Sequence, residues 1–153
     1  MAPHDVITRA FAQLTATELH EILRLRSDVF VVEQQCAYAD VDGRDTEGTT
    51  RHHWIEHDGA IIAYARTVAD GGAGTAARIG RVVTAPGHRH RGVAARLLAD
   101  ILGGLDGDVV LDAQSYLVDW YRRIGFAPTG PEFLEDGIAH VPMRLTRHDP
   151  EPA

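Results

Sequence analysis

The sequence predicts an α/β sandwich built on a mixed sheet, and the order of its elements carries that prediction. A helix opens the chain and strand-like segments joined by a hairpin signal follow. The last of these feeds an amphipathic helix, and a further strand, helix and strand close the chain. Thr15 and Glu18 form a capping box, a pattern in which each side chain satisfies an orphan backbone donor at a helix start. Leu19, Ile22, Leu23 and Val29 or Phe30 then return at helical spacing and give that helix an apolar face. After an irregular stretch through Asp40-Val41-Asp42-Gly43, the segments His53 to Glu56, Ile61 to Val68 and Arg78 to Val83 read as strands. Asp58-Gly59 suits the left-handed turn of a two-residue hairpin between the first two. A second helix starts near Gly92, with Val93, Ala94, Leu97, Leu98, Ile101 and Leu102 on one face and Arg96 and Asp100 opposite. Val109 to Leu111 reads as a buried strand, Val118 to Ile124 as a short helix closed by Gly125, and Ile138 to Leu145 as the last strand.

The 153 residues suit a single domain, residues 1–153, with its core from about Val6 to Arg147 and loose segments at Asp70 to Thr75 and 148–153. A content of 44% hydrophobic residues is too apolar for a disordered chain. The net charge of -7 works against nucleic acid and anionic membrane as partners, and no apolar run is long enough to span a bilayer. Cys36 is the only cysteine, so no disulfide forms within the chain, and the first residues carry no signal-peptide pattern. These features together predict a cytoplasmic protein, monomer or homodimer, whose partner is a small molecule or a cationic group. All 15 positive side chains are arginine.

The most informative segment runs from Val82-Val83-Thr84 through Ala85-Pro86-Gly87-His88 to Arg89-His90-Arg91-Gly92-Val93-Ala94-Ala95. A strand enters a turn rich in Arg and Gly that opens directly into an amphipathic helix. Unsatisfied N–H groups at a helix start point one way and the macrodipole adds about half a positive charge, so a diphosphate fits there. Gly92 lets backbone approach the phosphates, Ala94 and Ala95 leave room, and Arg89 and Arg91 can add charge-assisted bonds.

Arg89-x-x-Gly92-x-Ala94 after an apolar strand resembles the acyl-CoA signature of GNAT acetyltransferases, Arg/Gln-x-x-Gly-x-Gly/Ala. Tyr121-Arg122-Arg123-Ile124-Gly125-Phe126 is similar to a second signature of that superfamily, a Tyr shortly before Gly-Phe. Phe30 to Gln34, Asp40 to Asp45, Arg51-His52, Gly80 to Val82, Ala113-Gln114 and Glu135 to His140 resemble the ElaA-type subgroup. The resemblance implies the GNAT fold, a mixed, mostly antiparallel sheet flanked by helices. It also implies acetyl-CoA as cosubstrate, no metal, and transfer of the acetyl group to a primary amine of a small molecule or peptide by direct attack.

By the same resemblance, cofactor contacts are expected from Val82, Val83, Thr84, Arg89, His90, Arg91, Gly92, Val93, Ala94, Ala95 and Gln114. Tyr121 takes the general-acid position. The strand before the loop, Arg78-Ile79-Gly80-Arg81, lacks the carboxylate some relatives use as base. Glu33, Asp112, His140 or a water chain could serve, and Glu33 is the expected base because it follows the first helix, where the acceptor cleft of the family begins. Glu33, Asp40, Asp42, Glu135 and His140 are expected to border that cleft and select a cationic amine. A noncatalytic CoA-binding or protein-interaction domain of the same fold is the alternative that a missing base supports.

Other patterns carry less. Asp40-x-Asp42-Gly43-x-Asp45 is similar to a calcium loop, but Asp45 and Arg51 stand where an EF-hand needs Gly and Glu. His52 and His53 would face opposite sides of a strand, which argues against zinc.

Overall fold

Thr15 caps the first helix: its side chain accepts from the Glu18 amide at 3.0 Å, and the Glu18 carboxylate accepts from the Thr15 amide at 2.9 Å. The computed structural model describes residues 5–70, 72 and 74–147. In it this helix, α1 (Ala16–Arg26), runs on into a wider π-helical turn, Ser27–Glu33. Such turns re-aim side chains relative to an α-helical register, which is why the 3.6-residue spacing does not announce this one. The expected loose tail, 148–153, lies outside the described residues, as do residues 71 and 73 of the expected loop.

Among the described residues eight strands form one sheet: β1 (Val6–Arg9), β2 (Arg51–His57), β3 (Ala60–Val68), β4 (Thr75–Thr84), β5 (Asp108–Gln114), β6 (Ala127–Pro128), β7 (Phe133–Glu135) and β8 (Ile138–Leu145). Their order is β1-β2-β3-β4-β5-β8-β6, with β7 also paired to β8. Every pairing is antiparallel except that of β4 with β5. The helix α2 (Val93–Gly103) makes the crossover this parallel pair requires, and α3 (Val118–Ile124) follows β5. The mixed, mostly antiparallel sheet flanked by helices is the expected architecture. Asp58 and Gly59 take positive φ of 50° and 78° at the β2–β3 hairpin. The short strands β1, β6 and β7 add to the expected order, since two to four partly or wholly exposed residues give no readable alternation.

The core divides between the two faces of the sheet. Trp54 and its register partner Tyr64 pack with Ile22, Leu25 and Val29 of the first helix and its extension. Ile55 and its partner Ala63, one residue along each strand, pack instead with Leu97, Leu98 and Ile101 of α2. Leu97 and Leu98 have no exposed surface, and burying a side chain of that size contributes about 1.5–3 kcal/mol.

One irregularity positions the site. The pairing of β4 with β5 ends at Arg78 and Val110, so Ile79–Thr84 and Leu111–Gln114 diverge. On its other edge β4 carries a bulge between Gly80 and Val83, where Arg81 adopts φ 55°.

Candidate active site

Two cavities open along the divergence of β4 and β5, of about 620 Å³ and about 410 Å³. They share Phe30, Gln34, Val82, Gln114 and Tyr121. The larger runs along Val82, Val83 and Thr84 of β4, the turn at Arg89 and His90, and the first residues of α2. The smaller is bordered by Tyr38, Asp42, Arg81, Asp112, Glu135 and His140.

The turn into α2 is built as the sequence suggests. His90 and Gly92 take positive φ of 63° and 74°, and no side chain caps the helix. Its first N–H groups therefore keep their hydrogens for a ligand. A Cβ built on Gly92 would meet no atom within 4 Å, so the glycine serves both the left-handed backbone and an open approach. Val93, Ala94 and Ala95 line the same cavity, whereas Arg91 is exposed and does not.

Arg89 reaches back across the mouth of this cavity. Its guanidinium donates to both carboxylate oxygens of Glu33, at 2.6 and 2.9 Å. That hydrogen-bonded arginine holds the Glu33 carboxyl below the ordinary carboxylate range, the opposite of what a base at neutral pH needs. Glu33 also borders the larger cavity and not the smaller one. The expectation that Glu33 is base and acceptor contact is therefore revised: the π-helical extension turns it toward the basic turn.

Tyr121 stands where the cavities meet. Only 5% of it is exposed, and its ring is held edge-on by Trp120 at 4.9 Å and Phe126 at 5.9 Å. Burial pushes its phenol well above the ordinary tyrosine range, so the hydroxyl keeps its proton. The side-chain amides of Gln34 and Gln114 pair reciprocally, each donating to the other at 3.3 Å. Sequence reasoning missed Gln34, because nothing in a helix-end glutamine announces a partner 80 residues away.

The acidic loop does not present free carboxylates. Asp40 is buried, ion-paired to Arg26 and Arg81 at 3.0 Å each, and accepts a hydrogen bond from the Tyr38 hydroxyl. Asp45 binds Arg26 at 2.7 Å and Arg66 at 3.2 Å. Asp42 binds Arg66 through both oxygens at 2.9 Å, and despite burial those bonds hold its carboxyl far below the usual range. Arg26 is fully buried, so this alternation of charges is a compensated network forming the wall of the smaller cavity. The expectation for Asp40 is corrected accordingly, for it lies within that wall and not on its surface, whereas Asp42 reaches the cavity already neutralised. Glu135 and His140 border this cavity.

His52 and His53 are both spoken for. His52 Nε2 donates to the Asp45 carbonyl at 3.0 Å and Nδ1 accepts from the Tyr64 hydroxyl at 2.6 Å. His53 lies between the hydroxyls of Thr8 and Thr67, each at 2.9 Å.

Comparisons with known proteins agree with this geometry. A family profile for the acetyltransferase (GNAT) domain matches residues 16–147. The chain is 43% identical over 143 residues to a UPF0039 protein of Mycobacterium tuberculosis, covering 91% of this chain and 92% of that one. It is similar to the crystal structure of an acyl-CoA N-acyltransferase from Pseudomonas aeruginosa, with a TM-score of 0.84, 39% identity, and coverage of 92% and 98%. The crystal structure of Escherichia coli ElaA matches with a TM-score of 0.84, 32% identity, and coverage of 92% and 97%.

Proposed function

The chain belongs to the GNAT acetyltransferase family, and on that premise we propose that it transfers an acetyl group from acetyl-CoA to a primary amine of a small molecule or peptide. The observation that carries this reading is the meeting of two cavities at Tyr121, one against an uncapped helix start and one against carboxylates. Two substrates can then be held at once, and the amine attacks the thioester directly. The lone Cys36 borders only the smaller cavity, which argues against a covalent relay through it.

The residues fit the coenzyme. The N–H groups from Gly92 to Ala95, with Arg89, His90 and the exposed Arg91, would bind its diphosphate, and the space beside Gly92 admits it. Val82 and Val83 offer strand groups unpaired toward β5 for the pantetheine arm and thioester oxygen, with Thr84 beyond them. Gln114 would exchange its bond to Gln34 for one to that arm. Tyr121 would give its proton to the departing thiolate, a role that its protonated state suits.

The smaller cavity is the acceptor side of this reading. Glu135 and Asp136, which border it with no arginine partner among the described residues, give it a negative edge that favours a cationic amine, whereas Asp42 and Asp112 are already paired with arginines. No helix among the described residues is long and apolar enough to cross a membrane; the single cysteine supports a cytoplasmic place of action. The reading is tested by amine-dependent release of free thiol from acetyl-CoA, with initial rates that depend on both substrates as a ternary complex requires.

A further inference from the structure

Acyl transfer to an amine needs a proton acceptor on the acceptor side of the thioester, and the carboxylates around that cavity are either engaged by arginines or exposed to solvent at its rim. β4 carries none between Arg78 and Thr84. Asp42 is bound by Arg66 and Arg81, Asp112 by Arg78 at 3.1 Å, and Glu33 by Arg89 in the other cavity. Glu135 and Asp136 are exposed at the turn between β7 and β8.

His140 differs from all of these. It is half-buried on β8, and the sheet register sets it opposite Gln114, the residue that borders both cavities. Its Nδ1 lies 2.8 Å from the Ile138 carbonyl oxygen. A carbonyl oxygen only accepts, so Nδ1 carries the hydrogen and the neutral ring keeps its lone pair on Nε2. Phe133 lies almost parallel to the ring, 24° between planes and 5.8 Å between centroids, which fixes its orientation. No described protein group hydrogen-bonds Nε2. The ring thus has a set tautomer, a set plane and an Nε2 lone pair that no described protein group takes, on a residue bordering the cavity that Tyr121 also borders.

We propose that His140 is the general base of the transfer, an inference that rests on the acyltransferase reading above. The amine lone pair forms the C–N bond at the thioester carbon, and the C–S bond breaks with its electron pair going to sulfur. His140 Nε2 takes the proton that the nitrogen loses, while Tyr121 gives its hydroxyl proton to the sulfur. Exchange with solvent returns both groups to their starting states, so the net result is an amide and a free thiol.

The test uses the full chain with acetyl-CoA and a panel of primary amines that includes 1,4-diaminobutane and benzylamine, comparing wild type, His140→Ala and His140→Asn. The Asn side chain can still donate to the Ile138 carbonyl but has no basic nitrogen, so it separates loss of the base from loss of the fold. Both variants should lose about a hundredfold or more in kcat while acetyl-CoA affinity changes less than about threefold. Added imidazole should restore the His140→Ala rate by about tenfold or more above the uncatalysed background. Wild-type kcat in His140→Asn, or a folded His140→Ala that imidazole does not rescue, overturns the assignment of the base and leaves the acyltransferase reading standing. If His140→Ala does not fold, the His140→Asn rate alone decides. Absence of amine-dependent turnover in the wild type overturns both.

Discussion

Glu33 and Arg89, 56 residues apart in the chain, meet in a two-point ion pair of 2.6 and 2.9 Å across the mouth of the larger cavity. The pair occupies two donors of the first arginine in the diphosphate signature and sets a carboxylate where a diphosphate is proposed to bind. Removing the charge frees the donors and relieves like-charge repulsion. Glu33→Gln should therefore tighten acetyl-CoA binding by up to about fivefold, the scale of an exposed charge pair. Calorimetry measures this, and kcat should stay within about threefold of wild type, since loss of a general base costs at least about a hundredfold.

Gly92→Glu tests the coenzyme site from the other side. The variant adds bulk and negative charge to the open space beside the α2 start and strains a backbone at φ 74°. The backbone term costs about 1 kcal/mol, which a folded domain tolerates. Acetyl-CoA affinity should fall at least about tenfold while the far-ultraviolet circular dichroism keeps its native form, as expected when a like charge stands in a phosphate site. A folded variant with unchanged affinity contradicts the assignment.

Much of this architecture is legible in the amino-acid sequence. The Thr15–Glu18 capping box, the hairpin at Asp58-Gly59 and the helix opened by Gly92 each rest on local chemistry, so each is readable locally. The unreadable parts are long-range. The π-helical turn after Arg26 gives no periodic signal, yet it turns Glu33 toward Arg89. Asp40 and Asp42 read as an acidic loop because the arginines that neutralise them come from α1, β3 and β4. The tautomer of His140 depends on a carbonyl two residues away, which no residue pattern encodes.

Tyr121→Phe separates rate from binding. The ring keeps its edge contacts with Trp120 and Phe126, so the fold and the cavity wall should persist. With the hydroxyl gone, kcat should fall about tenfold or more while coenzyme affinity moves less than about threefold. The raised phenol also bears on pH: in wild type no loss of the acid form is expected at the ordinary tyrosine value of about 10, because burial holds the proton on. An alkaline limb near pH 10 that disappears in Tyr121→Phe contradicts this.

Acid should destabilise the fold through its buried histidines. Burial, with smaller contributions from His52 and Arg51, pushes His53 down to about 4 in the folded chain. The unfolded chain takes up that proton near the ordinary value of about 6.5. Between these values the unfolded state binds more protons, so stability is full above about pH 6.5 and declines as pH falls toward 4. The decline from this group is up to about 3 kcal/mol. His52 is shifted in the same direction, by its own burial. Thermal melts from pH 8 to pH 5 should show a falling midpoint, and the His53 ring resonances should stay at their neutral positions through pH 6. Titration of that ring between pH 6 and 7 in the folded protein contradicts the account.

The central claim is that the two cavities hold acetyl-CoA and an amine together. The most direct measurement follows free thiol and acetylated amine in parallel, by mass spectrometry, across cationic, neutral and anionic primary amines. The account predicts amine-dependent thiol release with one acetylated amine formed per thiol, and a higher kcat/KM for cationic acceptors than for anionic ones. Tight acetyl-CoA binding with no amine-dependent release across the whole panel would contradict it, and would make the chain a coenzyme-binding domain without transferase chemistry.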